Sequence, residues 1–541
     1  MPPATEALCR SYLDLRWHYD PASATAAGTT DQDSRLGAFD VESIGRHLAA
    51  FRAMAGAVED LEVESLQDEI DRTALLGDIR VLTFRLQHEQ PHVRNPQFWL
   101  SHLCSAIYTL LVRAESSVDH RARAVLARLR EVPQFLDAAQ ETLCEPPSVF
   151  IESATQTIPG ARLLLRTAAE TLSGSVPALA DDLASAAADA DERVARFGLA
   201  LETELQAHPD LLFFAVGEEQ FDRRLHHEHA LRNTAPELWR YGLRLEEEVT
   251  AEIERQARAI DASVPWRDLV NRLREDHPGA DGLLGAYQAS LDRALAFVRD
   301  RDLATVPAGS LDLVRTPPFM VPLVPFAAYQ PPGQLMAGRT GYFFVTVPNG
   351  GGSPEAVDRM LREHCVHELT ATTVHEGYPG HHLQLLTAHS LESSVRRFCW
   401  TPIMVEGWAL YCEEMMGEEG FYRSPEERLF QQVHLLWRAI RVILDVGLHT
   451  RGMTPDEAVT YLVEHLPIDR VSAEREVRRY CAWPTYQLCY AVGRREIQQL
   501  RAAYRQRAGA AGYSPRAFHD ELLSYGGLPV SLAAWGMGLE G

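Results

Sequence analysis

The segment TTVHEGYPGHHLQ, Thr372 to Gln384, gathers the residue types that hold a divalent metal and move a proton beside it. In the pattern HExxH, two histidines one helical turn apart bind zinc, and the glutamate beside the first acts as general base. His375 and Glu376 fit that pattern, but Pro379 stands where the second histidine belongs, and His381 and His382 arrive late. On a regular helix, residues six apart point about 120° from each other, and residues seven apart lie roughly 10.5 Å apart along the axis. Neither spacing suits two nitrogens that must each approach one ion to about 2 Å. The helix must therefore deform. The Pro379 ring opposes the carbonyl of His375, and Gly380 admits a bulge. A bulge that absorbs two residues returns His381 to the ligand position, whereas His382 requires three. His381 is the preferred ligand, and His382 becomes a group that faces the substrate or supports the ligands.

Catalytic zinc takes three protein ligands and keeps a fourth position for water. Glu406, in MVEGWALYCEEM, follows His381 by 25 residues, enough for one helix to turn back and a second to pass alongside. Gly407 lets that second helix approach closely, and Glu413 and Glu414 are placed to orient the ligand histidines. Taken alone, a His-Glu pair followed by histidines is more often no metal site at all. The Pro-Gly pair, the apolar helix and the downstream EGW together favour the site. HHEH (His226, His227, His229) lies in a charged stretch and reads as a solvated face, while His364 and His367 stay unassigned.

Hydrolysis of an amide also needs a donor for the developing oxyanion. RRYCAWPTYQLCYAVGRREI supplies tyrosines and arginines around a break at Pro484. Tyr490 is the candidate donor and Arg479 a fork for a substrate carboxylate, with Tyr486 as a further substrate contact. Ordinary helix-surface roles compete for each of these residues.

Most of the chain reads as amphipathic helices. APELWRYGLRLEEEVTAEIERQARAI spaces its apolar residues three and four apart. SPEERLFQQVHLLWRAIRVILDVGL opens with Ser424, Pro425 and Glu427 as a cap and buries Leu429, Val433, Leu436, Ile440 and Ile443; Thr454, Pro455 and Glu457 repeat the cap. The stretch before the motif is rich in Pro and Gly and holds the best strand candidate, GYFFVTV, Gly341 to Val347, in a short strand or hairpin. A Gly350–Gly352 run then leads to Ser353 and Pro354, the start of a helix that runs on through the motif with Val357, Met360, Leu361, Cys365 and Leu369 along one side.

The expected fold is mainly α, one helical catalytic domain over 1–541, with a helical part at 1–300 and the metal-site part at 301–541. A net charge of -23 argues against nucleic-acid and anionic-membrane partners. The start has no signal-peptide layout, no apolar run is long enough to span a membrane, and the eight scattered cysteines suit reduced thiols, so a cytoplasmic protein is expected.

The segments HEGYPGHHLQ, EGWALYCEE, PTYQLCYAVG and FHDELLSYGGLPV resemble the bacterial domain of unknown function 885 family, regarded as zincin-like metallopeptidases. YLDLRWHYDPASATAAGTTDQDSRL and VGEEQFDRRL extend the resemblance over nearly the whole chain. It implies a gluzincin-like helical fold with a deep cleft, to which the residues themselves add the short strand or hairpin before the metal-site helix. It assigns His375, His381 and Glu406 to one zinc and Glu376 to the base. Relatives carry PGQALSYKIG where this chain has PTYQLCYAVG, so Thr485, Tyr486 and Ala491 replace Gly, Gln and Lys. That departure points to substrate choice and not to the metal.

The leading expectation is a zinc-dependent hydrolase of short peptides or peptide-like amides, with other divalent ions as alternatives to zinc. A metal-dependent enzyme tailoring a small metabolite is the first rival, and a non-catalytic metal-binding protein the second.

Overall fold

The computed structural model describes residues 3–113, 116–317, 320–321, 324, 326–348, 353–509 and 511–539. Helices dominate, and the described residues hold a single three-stranded sheet. The Gly350–Gly352 run lies outside the described residues. Contacts divide the chain into two compact units, with the main division at residue 214 and not at 300. The reason is packing: the helix Ala235–Ile260 runs along Pro425–Thr450, so these middle helices belong with the motif.

The first unit is Met1–Phe214 with two short later segments. Its long helices, Pro96–Val112, Val118–Thr142, Ser148–Ser175 and Ala180–Thr203, pack on one another. Inside it Asp33 accepts from Arg113 at 3.1 Å, and Arg128 donates to Thr25 Oγ1 at 2.7 Å, so the buried charges are paired or hydrogen-bonded.

The second unit carries the motif. Strands β1 (Ser310–Arg315), β2 (Ala327–Gln330) and β3 (Thr340–Val345) lie in the order β1-β3-β2, with β1 parallel and β2 antiparallel to β3. The expected strand is β3, whose Phe343, Phe344 and Val345 are buried; it forms a hairpin with the preceding β2, and β1 on its other side makes it the centre of the sheet. β2 is an edge, and its backbone reaches the motif.

The helix expected to run from Ser353 through the motif is two helices, Pro354–Arg362 and Val366–Glu376. Cys365 is extended at the junction, and the Val366 N–H donates to the Asp276 carbonyl instead of continuing a helix. The second helix lies against Leu283–Asp300, Pro402–Glu418 and Pro425–Thr450. That surrounds it on several sides, which is why Leu369 through His375 are all buried. No helix among the described residues is long and apolar enough to cross a membrane.

Candidate metal centre

The helix Val366–Glu376 stops at Glu376, and after four intervening residues a new helix, His381–His389, begins. The expected bulge within one helix is therefore a stop and a restart. Tyr378–Pro379 is a cis peptide, and the Gly380 N–H turns back to the Val374 carbonyl at 3.0 Å. A Cβ on Gly380 would collide with the carbonyl oxygens of Val374 and His375, so the turn closes only on glycine. The effect is to carry His381 back beside His375. Their rings stand 4.7 Å apart and nearly perpendicular.

The third helix, Pro402–Glu418, brings Glu406 to the pair. Glu406 Oε2 lies 3.8 Å from Nε2 of His375 and 3.4 Å from Nε2 of His381. One donor atom from each of the three residues falls within 4.8 Å of the others, and all three side chains are buried. Two imidazoles and a carboxylate are donors that zinc and other borderline divalent ions accept. Burial disfavours charge on His375, yet hydrogen bonds to Glu406 and Glu413 outweigh it and raise its pKa to about 9. Glu406 is buried as well, and the two histidines hold its pKa well below the usual carboxylate range. The cluster is thus a pre-paired set of charge in which a cation can take the place of a proton. The donor set fits a divalent metal.

Behind the cluster runs a buried chain of partners. His375 Nδ1–H donates to Glu413 at 2.8 Å, and the other Glu413 oxygen accepts from His434 Nδ1 at 3.2 Å. His434 Nε2 then donates to Glu368 at 3.2 Å, and Arg274 lies 3.7 Å from that carboxylate. Donation from both ring nitrogens makes His434 an imidazolium, and despite burial its two carboxylate neighbours raise its pKa. The chain fixes the His375 ring so that Nε2 faces His381 and Glu406.

Glu376 sits next to this cluster at the helix end. Its Oε2 accepts the backbone N–H of Tyr329, on β2, at 3.0 Å. His382 points elsewhere: its Nδ1 is 3.1 Å from the Tyr329 hydroxyl, and burial lowers its pKa to about 4. Tyr490 stacks on His375 with ring centres 6.2 Å apart.

Several expected roles shift. Glu413 orients His375, but Glu414 instead holds Arg494 at 2.7 Å. His226 and His227 are exposed, whereas His229 is buried between the hydroxyls of Thr401 and Thr485, 3.0 Å from each, because its stretch bends inward after the helix Glu218–His227. Arg479 is bound to Glu476 at 2.6 Å. Tyr486 donates to Glu406 Oε1 at 2.6 Å. The departure from PGQALSYKIG thus lands on the cluster of His375, His381 and Glu406, because the bend at 483–488 swings the Tyr486 hydroxyl onto the Glu406 carboxylate.

Asp445 shapes that bend. It accepts the N–H of Thr485 at 3.0 Å and of Leu488 at 3.1 Å, and Thr485 has φ 65°, a conformation that favours glycine. Burial outweighs those bonds and raises the Asp445 pKa to about 7. The folded protein therefore holds a proton here that the unfolded chain releases near pH 4, so the contribution of Asp445 to stability falls as pH rises from about 4 to about 7, by up to about 4 kcal/mol. Urea unfolding of wild type and Asp445→Asn across that range should show wild type losing ground to the variant as pH rises. A difference flat with pH would show that the carboxyl is not desolvated.

Sequence reasoning missed Glu368, His434, Tyr329 and Asp445. One signal was available: in the helix Pro425–Thr450, His434, Arg438, Arg441 and Asp445 recur at spacings of four, three and four, a polar stripe on an otherwise apolar helix.

Fold and site define a mainly helical protein with a buried cluster of two histidines and one carboxylate. The chain belongs to the family described as bacterial protein of unknown function (DUF885), which matches residues 21–535. Two solved structures are similar over nearly their whole lengths. One is a "putative lipoprotein of unknown function" from Shewanella oneidensis, with TM-score 0.80, 23% identity and 98% of each chain covered. The other is a "putative lipoprotein" from Colwellia psychrerythraea, with TM-score 0.84, 17% identity and 99% of each chain covered. They share the fold, and the lipoprotein description belongs to those two proteins. No curated protein matches the chain.

Proposed function

We propose that this protein is a metal-dependent hydrolase that cleaves an amide bond in short peptides or peptide-like small molecules, with zinc as the expected ion. The observation that carries the reading is the convergence of His375, His381 and Glu406 with a glutamate, Glu376, at the adjoining helix end. A structural metal site has no use for that glutamate, and three protein ligands leave a position open. When bound, the ion supplies Lewis-acid polarisation of the carbonyl and lowers the pKa of water.

The remaining work falls to side chains. Glu376 takes the proton of the attacking water and returns it to the departing amine. The Tyr329 N–H aims its carboxylate. Tyr490 is the oxyanion donor, its ring set against His375. Tyr486 and Glu413 fix the rotamers of Glu406 and His375.

Metal content by mass spectrometry, with cleavage of a mixed di- to pentapeptide library read on the same samples, tests the proposal. Wild type should carry one zinc per chain, His381→Ala should lose it, and His382→Ala should keep it. Wild type that stays metal-free when zinc is offered sinks the reading. A loaded protein that cuts no peptide moves it to the tailoring of a small metabolite.

A further inference from the structure

Beside the metal cluster, on the Tyr490 side, positive charge exceeds negative. Three arginines meet there: Arg438 and Arg441 from the helix Pro425–Thr450 and Arg479 from the helix Arg470–Ala482. The guanidinium carbons of Arg438 and Arg441 lie 5.7 and 5.0 Å from the centre of the Tyr490 ring, which also stacks on His375. One carboxylate answers them. Glu476 Oε2 accepts from Arg441 at 3.0 Å, from Arg479 at 2.6 Å and from the Tyr480 hydroxyl at 2.8 Å. All three donors converge on that one oxygen.

Arg438 has no carboxylate partner among the described residues. One of its terminal nitrogens donates to the His434 carbonyl at 3.4 Å, and its Nε is buried without a hydrogen-bond partner, as is the Nε of Arg479. A buried Nε left unbonded is costly, and the half-buried guanidinium that carries it presents a planar N–H fork that matches a carboxylate. The chain as a whole carries a net charge of -23, so a local excess of cations next to a site that itself takes a cation calls for a negative ligand.

We infer that Arg438, backed by Arg441 and Arg479, binds a carboxylate of the substrate. The inference rests on the hydrolase reading for where the rest of the substrate lies. The two distances to Tyr490 place the Arg438 guanidinium no more than about 12 Å from the His375 ring, and an extended chain advances about 3.3–3.6 Å per residue. The acid group therefore falls within about three residues of the bond that is cut, as the free carboxy-terminus of a short peptide or an acidic side chain does. Arg479, the anchor expected from sequence, serves to hold Glu476 and to add charge behind Arg438.

The test compares N-acetyl-Ala-Phe with its carboxy-terminal amide, by calorimetry on full-length protein in zinc-containing buffer. The Glu376→Gln background holds turnover off. The acid should bind at least tenfold more tightly than the amide, Arg438→Met should bring the two together, and Arg438→Lys should restore part of the difference. Equal binding of acid and amide by the Arg438 protein, or a preference that survives in Arg438→Met, overturns the inference. Displacement of the acid by inorganic phosphate at matching concentration overturns the carboxylate assignment. Turnover by the Glu376 enzyme separates the two readings. Arg438-dependent binding without cleavage leaves the anchor standing and the hydrolase fallen; cleavage of acid and amide at equal kcat/KM does the reverse.

Discussion

Glu376→Gln should lose about 10³-fold in kcat, within the 10²–10⁴ range of a positioned acid-base group, and keep its zinc. The side chain leaves the ligand set untouched, since the converging donors are His375, His381 and Glu406. Glutamine is of the same size and its carbonyl oxygen can still accept the Tyr329 N–H, so the local structure should persist. What it cannot do is receive a proton. The loss should therefore appear in kcat with little change in KM, because the interaction removed exists only in the transition state. Zinc stoichiometry and steady-state kinetics on one preparation check both halves. Retained turnover with zinc in place would remove Glu376 from the mechanism and shift the base to another group.

The part of the site legible in the sequence was the part written in two short motifs, HEGYPGHH and EGWALY. His375, Glu376, His381 and Glu406 stand out because metal chemistry restricts residue type and helical geometry restricts spacing. Even there, spacing alone pointed to a bulged helix. The chain instead ends one helix at Glu376 and starts another at His381, a choice set by Gly380 packing onto the backbone of Val374 and His375. Of the supporting groups Glu413 was legible, seven residues after Glu406 on one helix; the contacts that bring in His434 and Tyr486 were not, because they join distant segments. Glu368 and His434 are 66 residues apart, and Tyr486 reaches Glu406 across 80. No local pattern encodes such contacts. The same holds for the fold: the long helices follow from their period and caps, whereas β2, four half-buried residues, has no periodicity to read, and the alternation Ser310-Leu311-Asp312-Leu313 in β1 is too short to mark a strand by itself.

The largest structural effect should come from a single methyl group. The Glu406 helix and the helix Cys489–Ala508 cross at Gly407 and Gly493, where the two backbones touch. A Cβ on Gly493 would press into the carbonyl oxygen of Ile403, which is backbone and cannot swing aside. In a helix interior alanine is favoured over glycine by about 1 kcal/mol, so Gly493→Ala would stabilise the protein if the site were open. Overpacking against a backbone should outweigh that gain, for a net loss of about 2 kcal/mol or more. Relief requires the helices to part, and Glu406 lies between Ile403 and Gly407 on the one while Tyr490 sits three residues before Gly493 on the other. Zinc affinity should therefore fall at least tenfold, as it does when groups that hold ligands in place are disturbed. Gly45→Ala is the control: Gly45 lies within the helix Val41–Glu59 and a Cβ there meets nothing within 4 Å, so that variant should gain up to about 1 kcal/mol. Urea unfolding and zinc titration of the two variants decide the matter. If Gly493→Ala gains stability as Gly45→Ala does and binds zinc as wild type does, close contact of these helices is not what sets Glu406 against the histidines.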